Sequence, residues 1–540
     1  MVNEQGRRLV ASTINAQAQS HPDNVYFSIP KNDNNLSEGF LDISCSKFSN
    51  AIDHAAIWLQ ANIGPASAEP FGVIAYQGPN DLRYPILAVA AAKVSKQILF
   101  PFSLAPPPVK LHLLQSTRCE YLLHPAYAQE QVRRLLSDSP HIRSIVVPEL
   151  NTWLNADKAP AFSYRRSWDE GKDDPWLIFH TSGTTGLPRP ITYTNRMMTS
   201  FDIAQGLPEP KDQTQLGWHI NRRCYGVAPL SHFSGMCAAL QAPTFLRMVS
   251  VQGPATKPPT PLVVADTLRY SGAEGFVSLP FLLRAMVQQS QTLELLKDLE
   301  YIQWIGAALD TETGNMLSQH VKLCPAMGTT ECGPYFLSTV DGPQDWAYYA
   351  FQSGQGIEFV ERTGNLYELV FKKRLDAVWQ QVFIVYPNID EYETKDLFRK
   401  HPGKEGLWAY VGRSDDVVVL SNSANINAAA VEEKIMKHPN IQMALVGGSG
   451  LQQSFAIIEL NPAASEEFKE KGPAAALDAV WPAVEEANHG LSDYTRLRKK
   501  FVIVTSSERG LVKSAKGSVM RGPSLKVFEK DVEGLFAGGE

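Results

Sequence analysis

Short apolar runs separated by helix-compatible stretches fill the chain up to about residue 400. The clearest are FGVIAYQG (71–78), SIVVPEL (144–150), WLIF (176–179), GFVSLP (275–280) and IQWIGAA (302–308). Such runs are too short for helices and lack the polar alternation of a half-solvated sheet. They predict strands covered on both faces, hence α/β layering. With 540 residues the chain exceeds what one core supports, so two or more domains are expected. FSLAPPPVK (102–110) and GPATKPPTP (253–261) read as surface loops, and there is no internal repeat or long low-complexity tract.

The last part reads differently. VVVLS (417–421), MALVGG (443–448), SFAIIEL (454–460) and FVIVT (501–505) read as strands. AAAVEEKIMKHP (428–439) reads as a helix ended by its proline. In LDAVWPAVEEANHG, apolar residues at 477, 480, 481 and 484 mark a helix face that Pro482 should distort. A compact α+β unit of about 125 residues follows, a usual domain size. The expected division is 1–413 and 414–540, with the boundary at GRSDD (412–416).

Composition removes several functional classes. Net charge is −6, with 44% hydrophobic and 20% charged residues, which gives no footprint for nucleic acid or an anionic membrane. The first 24 residues lack a signal-peptide core, and YPILAVAAAKV (84–94) is broken by Lys93 and too short to span a bilayer. Six cysteines (45, 119, 224, 237, 324, 332) form no C-x-x-C pair, so reduced thiols in a cytoplasmic compartment are expected.

One loop concentrates donors. HTSGTTGLPRP (180–190) follows WLIF, and its glycines and hydroxyls let successive N–H groups converge as an anion cradle. It is not a Walker loop, because G-x-x-x-x-G-K-[ST] fails. Composition alone leaves a mobile glycine-rich turn equally open.

TSGTTGLPRP resembles the phosphate loop, T-S-G-[ST]-T-G-x-P-K-G, of the acyl-adenylate-forming superfamily. Further segments follow in the family's order. PLSHFSGM (229–236) resembles its substrate-pocket segment, GAALD (306–310) the G-G-A-x-L loop, and GTTECG (328–333) the G-[ST]-T-E-x-G segment. NLYELV (365–370) is similar to the G-E-L strand, ETKDLF (393–398) to x-T-G-D-L, YVGRSDD (410–416) to the hinge motif, and KSAKGSV (513–519) to the C-terminal lysine motif. The resemblance implies an adenylation core of layered α/β subdomains plus a small β-barrel, followed by a mobile α+β lid.

It also implies a reaction: a carboxylate attacks the α-phosphorus of ATP to give acyl-AMP and pyrophosphate. The nucleophile is ionised already at its reference pKa near 4, so no general base is required. The obstacle is repulsion, about 4 kcal/mol per like-charge pair at about 4 Å and an effective dielectric of about 20. Cations and donors must therefore neutralise and align. By motif position, Thr181, Ser182, Gly183, Thr184, Thr185 and Gly186 would cradle the β- and γ-phosphates, with Arg189 nearby. Thr330 would touch the α-phosphate, and Glu331 would hold Mg²⁺, a hard cation that wants oxygen ligands. Asp396 would accept from the ribose hydroxyls with Arg413 beside it. Ala307, Ala308, Met327, Gly328 and Thr329 would border the nucleotide. Lys516 would bridge the substrate carboxylate and nucleotide oxygens. Asp415 would be the hinge on which the lid turns between half-reactions, or simply a strand cap.

His232, Phe233, Phe276, Val277, Leu279, Gly306, Ala307 and Gly328 would line a flat, apolar acid pocket. His232 joins Lys516, Thr330 and Glu331 as a catalytic candidate; otherwise it is an aromatic wall or a core residue. No carboxylate in PLSHFSGM would pair an α-ammonium, which disfavours an amino acid; the flat, apolar lining best fits a substituted aryl acid, with a medium acyl chain as the other reading.

Some positions depart from the family pattern. Arg189 and Pro190 replace Lys-Gly, Lys395 stands where glycine is common, and Met327 replaces an aromatic residue beside adenine. SNSANIN (421–427) replaces S-N-G-E-K-[VI]-N, which bears on the thioester step. The wording of 389–440 and of the C-terminus is similar to the adenylation domain of fungal nonribosomal-peptide-synthetase-like carboxylate reductases. That likeness implies a downstream carrier bearing phosphopantetheine and an NADPH-dependent reductase. No motif of either is present, so an excised adenylation domain is expected. A free-standing aryl- or acyl-CoA ligase, and a degenerate nucleotide-binding domain, remain the alternatives.

Overall fold

A computed structural model describes residues 5–64, 71–102, 105–181, 187–362, 365–414, 417–422, 424–513 and 519–537. Two large parallel sheets form the core. The first orders its strands Arg143–Val146, Cys119–His124, Val73–Tyr76, Gln97–Leu99, Pro175–Thr181 and Arg189–Thr194, with only the last pair antiparallel. Ile74 and Tyr76 pack with helices Cys45–Ile63 and Arg83–Lys93. Val73 and Ala75 face Leu113, Leu114 and Val132 on the other side. Burial on both faces explains why these runs do not alternate.

The second sheet runs Lys322–Pro325, Tyr301–Trp304, Gly275–Ser278, Arg223–Gly226, Val249–Val251, Val25–Pro30 and Phe40–Ser44, parallel except for its last pair. Tyr225, Val251, Phe276, Ile302 and Trp304 point into one hydrophobic core with Leu282, Leu283 and Leu317. The alternate residues point the other way, towards a cavity described below.

A third, antiparallel sheet has six strands, in the order Leu337–Ser338, Tyr348–Phe351, Leu407–Arg413, Glu391–Lys400, Tyr367–Lys372 and Ile357–Glu361. Its core is aromatic: Phe359 stacks on Trp408 at 3.7 Å between ring centroids, and Phe351 and Phe359 both meet Phe398 edge-on. Among the described residues its outer strands do not pair with each other. The expected small barrel is therefore an open ladder.

Beyond it, Val417–Val419 pairs with Asn425–Asn427, and Ile441–Gly447, Phe455–Leu460 and Val502–Thr505 form a three-stranded sheet. Helix Ala428–Ile435 starts where Asn427 accepts the Ala430 N–H, and it stops before Pro439. Helix Gly472–Asn488 continues through Pro482 and buries Ala476, Val480, Val484 and Ala487. The expected stripe at 477, 480, 481 and 484 is thus rotated, with Leu477 and Trp481 at its margin. Arg284 of the core spans to this unit, pairing with Asp310 at 3.0 Å and with Glu433 at 2.6 Å. Among the described residues no helix is long and apolar enough to cross a membrane. All six cysteines are buried and unpaired.

Candidate active site

A cavity of about 380 Å³ lies between the second parallel sheet and the antiparallel sheet. Its floor is one face of the parallel sheet. Cys224 is level with Ser250 and Gly275, Gly226 with Val277, and Val277 with Gln303. Because side chains alternate along a strand, Cys224, Gly226, Ser250, Gln252, Val277, Gln303 and Ile305 all face the cavity. The same parity corrects one expectation. Phe276 is 0% exposed and stacks on Tyr225 at 5.6 Å on the far side, so it is core and not pocket wall. Leu279 packs with that core as well and does not line the cavity. Cys224, Ser250, Gln252 and Gln303 escaped the sequence reading because each is a single residue within an apolar strand. Only inter-strand register, which no local pattern carries, brings them level with Val277 and its strand.

One wall comes from the segment 229–236. Gly235 is needed there, since a Cβ would lie 2.1 Å from the Pro229 carbonyl oxygen. The His232 Nδ1 accepts the Ser234 N–H at 3.3 Å and so caps the short helix Phe233–Met236, which passes into a π-turn at Cys237–Gln241. His232 and Phe233 both line the cavity.

The opposite end is polar. Gly328–Thr329 pairs with Gly333–Pro334 in a tight hairpin, and a Cβ at 328 would strike the Gly333 carbonyl at 2.6 Å. Thr329 Oγ1 accepts the Cys332 N–H, and the Tyr193 hydroxyl donates to the Thr330 carbonyl at 2.8 Å, pinning the turn that carries Thr330 and Glu331. Gly306, Ala307, Met327, Gly328 and Thr329 line this end, whereas Ala308 is exposed beside it, outside the lining. Thr181 sits opposite Arg189 at the mouth of the phosphate-type loop. Arg189 and Glu331 both act electrostatically on the Tyr386 phenol, in opposite senses, which brings them to one neighbourhood. Ser182, Gly183, Thr184, Thr185, Gly186, Asp415 and Lys516 lie outside the described residues.

Asp396 is the most unusual group. It is 3% exposed, lies opposite Arg413 in register, and has Arg413 Nη1 at 3.6 Å from Oδ1. Burial pushes its pKa up to about 6, while Arg413 and a hydrogen bond from Tyr410 oppose that rise. Its Oδ2 is buried with no partner. An orphaned buried acceptor costs about 1–3 kcal/mol and fits a ligand bringing hydroxyl donors, such as a ribose diol. A bulge sets its direction. The register slips between Glu368 and Val370, and Lys395 takes φ +66°, the left-handed conformation that glycine adopts readily. Glu368 Oε1 accepts the Lys395 N–H at 2.9 Å, and Arg362 holds the other oxygen at 2.7 Å. Among the described residues no cluster of three or more His, Cys, Asp or Glu could hold a metal alone. Glu331 fits a cation whose other ligands come from phosphate and water.

The AMP-binding enzyme model matches residues 14–356, and the model for an AMP-binding enzyme C-terminal domain matches 415–540. A carboxylic acid reductase of Neurospora crassa is 27% identical over 99% of this chain and 51% of that protein. Adenylate-forming reductase Nps9 of Serpula lacrymans is 26% identical over 95% of this chain and 48% of its own length. The chain thus spans about half the length of these curated relatives. In fold it is similar to an anthranilate CoA ligase solved with anthranoyl-AMP: TM-score 0.69, 16% identity, 96% of each chain covered. With the first model alone covering residues 14–356 of 540, the chain belongs to the AMP-binding enzyme family, the acyl-adenylate-forming superfamily.

Proposed function

We propose that this chain is the adenylation unit of a carboxylate reductase, activating a substituted aryl acid with ATP to acyl-AMP and pyrophosphate. One observation carries the reading: a single cavity runs from an uncharged floor to the unpartnered Asp396 oxygen, so acid and nucleotide share one chamber. Among the described residues, Asp396 and Arg413 are the only Asp, Glu, Lys or Arg side chains lining it, and both lie at the end assigned to the nucleotide. An α-ammonium would find no carboxylate at the floor, which favours an acid with no second charge.

Asp396 receives the ribose hydroxyls, flanked by Arg413. The Thr330 turn and the loop Thr181–Gly186 take the phosphates, with Arg189 as an auxiliary cation. Ala307, Ala308, Met327, Gly328 and Thr329 border the nucleotide. Glu331 would hold Mg²⁺, which supplies neutralisation of phosphate charge when bound. Lys516 bridges the acid's carboxylate and the nucleotide oxygens. His232 and Phe233 wall the acid, and Asp415 is the hinge between the units 1–413 and 414–540. Transfer goes to the phosphopantetheine of a carrier domain, followed by NADPH-dependent reduction; the word reductase in the names of the two fungal relatives supports the reduction, and the carrier and NADPH rest on the resemblance of the motifs. Six buried, unpaired thiols favour a cytoplasmic setting.

Acid-dependent exchange of labelled pyrophosphate into ATP tests the first step. An aryl-acid panel should give exchange, and Lys516→Ala should abolish it while ATP still binds. Silence across aryl and alkyl acids alike would refute the proposal. Supplying hydroxylamine, CoA or a phosphopantetheinylated carrier then separates reductase-type loading from CoA ligation.

A further inference from the structure

Several polar side chains around the cavity floor are engaged with one another. His219 Nδ1 lies 2.8 Å from the Tyr301 hydroxyl, and its Nε2 lies 2.9 Å from Gln303 Oε1. The Gln303 amide nitrogen donates in turn to Gln215 Oε1 and to Cys324 Sγ. Ser234 Oγ pairs with His232 Nδ1 at 2.8 Å.

Gln252 differs. It directly follows the strand Val249–Val251, its backbone N–H donates to the Ser28 carbonyl at 2.9 Å, and it lines the cavity. The residue is only 7% exposed. Its Nε2 donates to Ser250 Oγ at 2.9 Å, and among the described residues the carboxamide makes no other hydrogen bond. Oε1 accepts nothing, yet it is not sealed within the protein, so it opens on the chamber. Turning the amide over would let the Ser250 hydroxyl donate to Oε1 and would aim the NH2 at the same space. Either way, one polar group of the amide faces the cavity with its bonding capacity unused.

Its place in the sheet says which part of a ligand it meets. The strand Lys322–Pro325 runs on into Met327 and Gly328, and Tyr301–Trp304 into Gly306 and Ala307, all at the polar end. Val249–Val251 stands four strands from the first and three from the second. At about 4.8 Å per strand, Gln252 lies about 14–19 Å across the floor from that end.

We infer that the activated acid carries a hydroxyl on the edge of its ring system remote from the carboxylate, and that the Gln252 carboxamide reads it. This rests on the adenylation of an aryl acid proposed above. A hydroxyl is donor and acceptor at once, so it pairs with the amide in either orientation. The group is uncharged, because among the described residues Asp396 and Arg413 are the only Asp, Glu, Lys or Arg side chains in the lining. Gln252 is the specificity determinant, and Ser250 positions it. An acid lacking the hydroxyl displaces water from the amide and returns no partner, which a polar site of this kind penalises.

The experiment is acid-dependent pyrophosphate exchange with benzoate, cinnamate and their 3- and 4-hydroxy derivatives. At least one hydroxy acid should exceed its unsubstituted parent tenfold or more in kcat/KM. Gln252→Met, which keeps an unbranched chain of similar volume and removes both polar ends, should lower that ratio at least tenfold and leave the parent acid within about threefold. Ser250→Ala should lower the ratio by less, through KM for the hydroxy acid. ATP-induced shifts in Tm establish that each variant folds. Parent acids matching every hydroxy acid in the unmodified chain, or an unchanged ratio in folded Gln252→Met, overturn this inference and leave adenylation standing. Exchange with alkyl acids alone overturns it together with the aryl reading.

Discussion

The two ends of the cavity are built on opposite plans. At the polar end, proposed to hold the nucleotide, most groups sit in contiguous segments shaped by turns, the 328–334 hairpin and the bulge at Lys395 beside Asp396, and only the facing pair Asp396 and Arg413 is set by strand register. At the acid end, the floor is assembled from single residues of separate strands, brought level only by sheet register. Turn-built chemistry must keep its local wording, whereas a register-built floor can change one side chain at a time. On the proposed function, chemistry and specificity are thereby separated within one chamber.

Substitutions at neighbouring positions sharpen this contrast, and the largest effect should fall on the covered face of the parallel sheet. Phe276→Ala should lower stability by about 3–5 kcal/mol through loss of a buried ring, without altering the order of preferred acids; denaturant midpoints and exchange assays check both. A changed acid order would show that the parity is misread.

Asp396→Asn should cut kcat/KM for ATP about 100-fold, the scale of a lost charge-assisted hydrogen bond. The same variant should gain thermal stability without nucleotide. The folded carboxyl titrates near 6, against about 3.9 when unfolded. Between those values the folded chain keeps a proton that the unfolded chain has released. Stability therefore falls as pH rises from about 4 to 6, and a penalty of about 3 kcal/mol persists above. The Tm advantage of the variant should be full at pH 8 and vanish near pH 4.

Val277→Phe, one residue from Phe276 but facing the cavity, should raise KM for the acid about tenfold and leave KM for ATP within about twofold. The smallest effect belongs to Lys395→Gly. Relieving a left-handed side-chain-bearing residue should add about 1 kcal/mol or less, read as a small rise in Tm.

This contrast also explains what the sequence disclosed. Asp396, Arg413, Thr330 and Glu331 were legible because a tight turn or bulge constrains several adjacent residues, leaving a pattern to read. Lys395 looked like a defect in T-G-D; the structure shows why glycine suits the position and how Glu368 keeps the bulge with lysine in place. The covered strands were legible from apolar runs. Their facing was not, because a run such as GFVS is apolar on both sides, so Phe276 and Val277 could not be told apart without the register. Gln303 and His219 were invisible for a related reason. They lie far apart in the chain, and only the fold sets them 2.9 Å apart. The helix at Gly472–Asn488 was placed with its face rotated by about one residue, since leucine and tryptophan outweigh alanine in any count of apolar residues, while close packing favoured Ala476 and Ala487.

The seclusion of the six cysteines has a practical corollary. Burial pushes the thiols of Cys119, Cys224, Cys237 and Cys332 up to about 12, so at neutral pH they are poor nucleophiles. A maleimide dye should therefore ignore the native chain and mark a solitary cysteine engineered onto the outer surface of the C-terminal unit. Paired with a donor fluorophore on the core, that label would test against a silent background whether the C-terminal unit turns on the core, as the proposed hinge requires.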